Sequence, residues 1–141
     1  MKNPLIPIDG SPAALRALAF ALHVLRGRTD VQVHVLNVQV PMLHPWPGKL
    51  VSPDMIAAEL RSDGVKLLAA AEEMVLATGM ACVPHVSIGA AGDEVAAYAG
   101  EHGCDAIVMG TRGMGAVAGL VMGSVAQKVV HLARVPVTLV K

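Results

Sequence analysis

Five glycines, Gly110, Gly113, Gly115, Gly119 and Gly123, fall within fourteen residues, and Ser124 follows the last of them. Glycine admits positive φ angles and lets the main chain approach a ligand closely, so N–H groups in such a stretch can face an anion. A helix starting near Ser124 adds the unpaired N–H groups of its first turn and the positive end of its dipole, both favourable to phosphate. Ser124 could donate its hydroxyl to the same oxygen, and Arg112 could add a charge. The stretch is not a Walker loop, which needs G-x-x-x-x-G-K-[ST], nor the dinucleotide pattern G-x-G-x-x-G. On residues alone it is a phosphate or nucleotide loop, or else a flexible connection or close-packing surface.

Asp9 is the second chemical candidate. Placed before Gly10 at the end of an apolar run, it could take a ribose hydroxyl, help hold a metal, or simply form the turn. Other constellations are poor. His23, His34, His44, His85, His102 and His131 show no metal-ligand spacing, and Cys82 and Cys104 make no C-x-x-C. Ser11 lacks the G-x-S-x-G context of a nucleophile and reads as a helix cap.

These residues need elements to position them. Residues 4–8 form a first strand, and Ser11 with Pro12 supplies an N-cap and a first-turn proline. Leu15, Leu18, Leu22 and Leu25 then mark one face of a helix that Gly27 stops. Residues 31–38 alternate as a second strand. A loop follows to about Ser52, with Pro41, Pro45, Pro47 and the only tryptophan, Trp46. A second helix over 54–78 presents Ile56, Leu60, Asp63, Leu67, Ala71 and Met74 on one face and ends at Gly79. Residues 81–88 form a third strand that Pro84 assigns to a sheet edge. A helix over 91–102, a buried strand over 105–109, a helix from Ser124 to about Leu132 and a strand over 136–140 complete the chain.

This order of elements within 141 residues predicts one domain, a mostly parallel sheet with helices on both faces. Such sheets bind ligands beyond the carboxyl ends of their strands, where the strand order reverses. The turn at Pro7–Ser11 and the stretch at Gly110–Ser124 both have the right polarity. They meet only if the first and fourth strands are neighbours, which spacing alone does not establish.

Lys+Arg and Asp+Glu are 11 each, a balance that removes the long-range field of a general nucleic-acid or anionic-membrane binder. Hydrophobic residues at 54% and charged ones at 16% argue against disorder. The longest uncharged candidate for a membrane span, between Arg112 and Lys128, is short of the ~20 residues needed and is broken by glycines. The N-terminal region reaches Asp9, Gly10 and Pro12 before any apolar run long enough for a signal peptide. Two cysteines do not make a disulfide scaffold and fit core thiols of a cytoplasmic protein.

Residues 109–124, M-G-T-R-G-M-G-A-V-A-G-L-V-M-G-S, match G-x-x-G, nine residues, G-[ST]. This resembles the nucleotide-binding branch of the universal stress protein family, with Gly110, Gly113, Gly123 and Ser124 at the motif positions. The opening from Leu5 to Ser11 and the ending from His131 to Val140 are similar to the family's first and last elements. The resemblance implies a three-layer α/β fold, an open parallel five-stranded sheet in the order 3-2-1-4-5, with ATP across the ends of strands one and four. On that likeness Pro7, Ile8 and Asp9 border the adenosine, the backbone of Val35 reads adenine, and Met109 and Gly110 contact the ribose side. Arg112 and Gly113 approach the phosphates, and Gly123, Ser124, Val125 and Ala126 form their seat. Mg2+ or Mn2+ could accompany ATP. The family likeness also implies a homodimer in which residues 136–140 of two copies pair antiparallel.

The leading expectation is a small ATP-binding stress-response or regulatory protein, with an unidentified protein partner and at most slow hydrolysis. Only Asp9 as a metal helper and Arg112 as a cation emerge for catalysis, and no general base does. The alternatives are a dimeric interaction module that works without nucleotide and a flavodoxin-like enzyme or electron carrier.

Overall fold

The computed structural model of the protein describes residues 1–41, 52–113 and 122–141. The proline- and tryptophan-bearing loop is expected at residues that lie, from 42 to 51, outside the described ones, as do Gly115 and Gly119 of the glycine stretch. Nine elements alternate along the rest: β1 (Pro4–Pro7), α1 (Pro12–Leu25), β2 (Gln32–Gln39), α2 (Pro53–Leu76), β3 (Ala81–Ile88), α3 (Ala91–Glu101), β4 (Ala106–Gly110), α4 (Ser124–Leu132) and β5 (Val137–Val140). The boundaries follow the sequence expectation to within two residues.

Local chemistry explains where helices begin. Ser11 Oγ accepts from the Ala14 N–H at 3.2 Å, and Ser52 Oγ from the Met55 N–H at 3.2 Å, each with proline as the next residue. Such caps satisfy one of the N–H groups that a helix start leaves over and stabilise it by about 1 kcal/mol.

All five strands are parallel, in the order β3-β2-β1-β4-β5. The sheet starts at β1 and reverses there, so β1 pairs with both β2 and β4. Leu5 stands opposite His34 on one side and Ile107 on the other. Pro84 lies on the β3 edge, where the ladder is one-sided, as its missing N–H requires.

Two cores flank the sheet, making three layers. On one face α1 and α2 bury Leu18, Leu22, Leu68 and Val75 against Ile6, Val33, Val35 and Val108. On the other, Val95, Tyr98, Ala126 and Val129 of α3 and α4 cover Leu5, Leu36, Ile107 and Met109. A fully buried Leu or Ile contributes about 1.5–3 kcal/mol relative to exposure.

The inward face of α2 differs from the periodicity. Leu60, Gly64, Leu68, Ala71 and Val75 are buried, whereas Leu67, expected inside, is 39% exposed. The helix is rotated because Gly64 lets its backbone descend onto β2 and β3. A Cβ there would stand 2.5 and 2.8 Å from the two Val86 methyl groups and 2.9 Å from Asn37 Oδ1.

Alanine at position 64 therefore sets two effects against each other. Its better helix propensity gains about 1 kcal/mol, while overpacking costs about 1–3 kcal/mol. The 2.5 Å contact makes the clash prevail, so Gly64→Ala should lower the urea midpoint with an unchanged m-value. An equal or higher midpoint would contradict this packing.

Candidate functional site

At the carboxyl edge of the sheet, where β1 and β4 diverge into their helices, lies a cavity of about 250 Å³. The end of β1 and its turn supply Pro7, Ile8, Asp9 and Ser11, and α1 adds Ala14. The end of β4 and the residues after it supply Met109, Gly110, Thr111, Arg112 and Gly113. Gly123, Ser124, Val125 and Ala126 close it from the start of α4. Thus two segments separated by about a hundred residues of chain converge through the β1–β4 pairing.

The turn is held locally. Asp9 Oδ1 accepts from the Ser11 N–H at 2.9 Å, and Gly10 adopts φ +86°, a left-handed conformation that suits glycine. Across the cavity, Asp9 Oδ2 packs where a side chain on Gly113 would have to begin. Gly110 has a packing reason too, since a Cβ on it would lie 3.1 Å from that of Ala13 in α1.

The start of α4 is unlike those of α1 and α2. Gly123 is its N-cap residue, and among the described residues no side chain caps the helix. The Gly123 N–H itself turns inward and donates to the Thr111 carbonyl at 2.6 Å, while the Thr111 N–H donates to Val140 at 3.0 Å. These bonds anchor the loop ends to β5. They leave the N–H groups of Ser124, Val125 and Ala126, at cavity-lining positions, as the first-turn donors of an uncapped helix.

Of the residues expected at the site, Pro7, Ile8, Asp9, Met109, Gly110, Arg112, Gly113, Gly123, Ser124, Val125 and Ala126 line this one cavity. Val35 does not. Its neighbours Leu36 and Val38 face the cavity, and Val35 sits in the core under α1 and α2. The Leu36 carbonyl accepts from the Ile8 N–H at 2.7 Å, so strand alternation turns the backbone groups of Val35 toward β3.

The family model for the universal stress protein family matches residues 1–141. The chain belongs to that family. It is 33% identical over 146 residues to the universal stress protein in the QAH/OAS sulfhydrylase 3′ region of Thermus aquaticus, covering 99% of this chain and 98% of that one. It is 29% identical over 144 residues to universal stress protein YxiE of Bacillus subtilis, covering 97% of each. Among solved structures, universal stress protein UspA from Lactobacillus plantarum superposes with a TM-score of 0.78 at 22% identity, over 99% of this chain and 97% of that one. A universal stress protein in complex with cAMP gives 0.73 at 21% identity, over 99% and 97%. An Arabidopsis thaliana family member with AMP bound gives 0.72 at 18% identity, over 100% and 92%.

Sequence reasoning on this universal stress protein missed Ala91 and Val95 of α3, which join Leu36 and Val38 in an apolar wall of the cavity. The regular apolar spacing of α3 was the available signal, but it does not distinguish a core wall from a cavity wall. Among the described residues no group of three or more His, Cys, Asp or Glu is arranged to hold a metal ion, and no helix is long and apolar enough to cross a membrane. Burial pushes both Cys82 and Cys104 up to about 11, with Glu72 and Asp105 adding to the shifts, so both remain thiols at neutral pH.

Just below that wall, His34 is 5% exposed, and its Nδ1 lies 2.9 Å from Tyr98 Oη. Tyr98 is stacked on His102 at 3.9 Å between ring centroids, and His85 is tilted against it at 5.2 Å. Burial, and secondarily the charge of His102, lowers the pKa of His34 below 6.5. The unfolded chain then binds the proton more readily than the folded one. The stabilisation by neutral His34 is complete above pH 6.5 and is lost as pH falls below it.

Asp105 does not confuse that window. Burial alone would raise its pKa, but hydrogen bonds from the Lys2 and Asn3 N–H groups hold it below 3.8. The urea midpoint should therefore fall between pH 7.5 and 5.5, and fall less in His34→Gln. Equal pH slopes in the two proteins would contradict the assignment to His34.

Proposed function

We propose that this universal stress protein binds ATP in the cavity between β1 and β4 and acts as a small regulatory protein whose nucleotide occupancy alters its contacts with partners. One observation carries this reading. A cavity with an apolar wall at one side has, at the other, the uncapped start of α4 together with Arg112 and Gly113. A base suits the first environment and phosphates the second. Family members with AMP and cAMP bound lend support to an adenine nucleotide.

Charge assigns the parts. A carboxylate repels phosphate and accepts hydroxyl groups, so Asp9 faces the ribose, with Pro7, Ile8, Met109 and Gly110 around the nucleoside. Arg112, Gly113, Gly123 and Ser124 approach the phosphates, and the N–H groups of Val125 and Ala126 complete their seat. Mg2+ or Mn2+ would offset the phosphate charge, and Asp9, the only carboxylate among the described lining residues, is the side chain that would help hold it. Rapid phosphoryl transfer needs a positioned nucleophile and strong charge compensation. Among the described lining residues Arg112 is the only cation, and no histidine or lysine is present. ATP is accordingly a ligand more than a substrate.

β5 lies at the other edge of the sheet from β3. Such an edge invites pairing with another chain, and we place the homodimer contact there, through residues 136–140.

Calorimetry with ATP and Mg2+ tests the site, and native mass measurement tests the assembly. We expect one nucleotide per chain in a dimer. A dimer that takes up no ATP at millimolar concentration would favour the nucleotide-independent module instead. Gly113→Val drives a side chain into Asp9 and should weaken ATP at least tenfold. Ser124→Ala removes one hydrogen bond, worth about 1 kcal/mol, or some fivefold. Equal affinities in the two variants would contradict the proposed close approach at Gly113.

A further inference from the structure

Four polar side chains are buried among the described residues: Ser11, His34, Asn37 and Gln39. Ser11 caps α1 and His34 meets Tyr98, but Asn37 and Gln39 do neither. A buried amide is unfavourable unless its groups are paired. Gln39 Nε2 donates to Asn37 Oδ1 at 2.8 Å, and Asn37 Nδ2 donates to the Ile8 carbonyl at 2.8 Å. The polarity of this relay is fixed at its end. An amide oxygen facing the Ile8 carbonyl would set two acceptors against each other, so the nitrogen must face it.

The place of that carbonyl gives the relay its meaning. The Ile8 N–H makes a bond to Leu36 just beyond the last residue of β1. Asn37 then supplies a side-chain donor at the point where the strand ladder stops. The next residue is Asp9, tied forward to Ser11 and packed against Gly113. From above, Gly64 lets α2 settle onto Asn37 Oδ1, and the Gln39 carbonyl receives the Gly89 N–H at 3.0 Å. The relay is therefore held on several sides and acts on one.

We propose that Asn37, supported by Gln39, is the positioning residue for the nucleoside half of the site: by holding the Ile8 carbonyl it sets where Asp9 leaves β1 and meets a ribose. This rests on the nucleotide reading given above. Asn37 is not a lining residue of the cavity. Aspartate at position 37 keeps the shape but turns the donor into an acceptor facing Ile8.

The experiment measures ATP and 2′,3′-dideoxy-ATP affinities for the wild type, Asn37→Asp and Gln39→Leu by calorimetry, alongside their thermal midpoints. The wild type should prefer ATP about tenfold, because the analogue lacks both ribose hydroxyls. Asn37→Asp should reduce that preference to less than threefold, and Gln39→Leu should reduce it part-way. Should Asn37→Asp fail to fold, Gln39→Leu decides the matter by the same ratio. Variants that weaken both ligands equally and keep the tenfold preference would show mere structural support and overturn the proposal. A wild type that binds both ligands equally also overturns it, while leaving the nucleotide reading intact. A wild type that binds neither overturns both.

Discussion

The pairing of β1 with β4 is the constraint on which the site depends. Leu5 stands opposite Ile107, and from that register the two strands run in parallel to the same edge of the sheet. The chain leaves β1 into a helix on one face and β4 toward a helix on the other. A gap between the two exits is unavoidable, as at any reversal of strand order in an open parallel sheet. The apolar residues that pair and cover these two strands thereby also bring Asp9 and the end of β4 to one edge of the sheet.

What fills the edges of that gap decides its chemistry. α1 and α2 start with serine caps, so their first-turn donors are partly satisfied internally. α4 starts at Gly123 without a side-chain cap, and the Gly123 amide is committed to Thr111. The loop ends are thus fixed by backbone bonds, while the next three amides belong to the first turn of a helix and come from residues that line the cavity. Glycine serves here through what it omits: a side chain on Gly113 would occupy the space of Asp9, and one on Gly110 would push on α1. The same economy recurs at Gly64, where absence of a Cβ brings α2 onto the buried amides that steady the end of β1.

Much of this was legible in the residues. Ser11-Pro12 and Ser52-Pro53 announce helix starts by capping chemistry, which is local and leaves a local signature. Pro84 announces an edge strand because its lost hydrogen bond is tolerable only there. Gly110, Gly113, Gly123 and Ser124 mark the cavity rim, and the family likeness supplied the strand order that spacing could not. The failures share a cause in tertiary packing. The face of α2 was misjudged because Gly64 carries no hydropathy, although it is the point of closest approach. Val35, expected at the site, stands one residue from Leu36, which lines the cavity, and a single step along a strand reverses both side chain and backbone direction. Asn37 and Gln39 resemble ordinary strand polar residues until burial and the Ile8 carbonyl give them a task.

The most direct measurement of the central claim is the amide spectrum of 15N-labelled protein titrated with ATP and Mg2+. Phosphates seated at the start of α4 should move the Ser124, Val125 and Ala126 amide resonances strongly, and those of α2, on the opposite face, hardly at all. If ATP at millimolar concentration left those three resonances in place, the uncapped helix start would not be the anion seat, and the account of the site would fail.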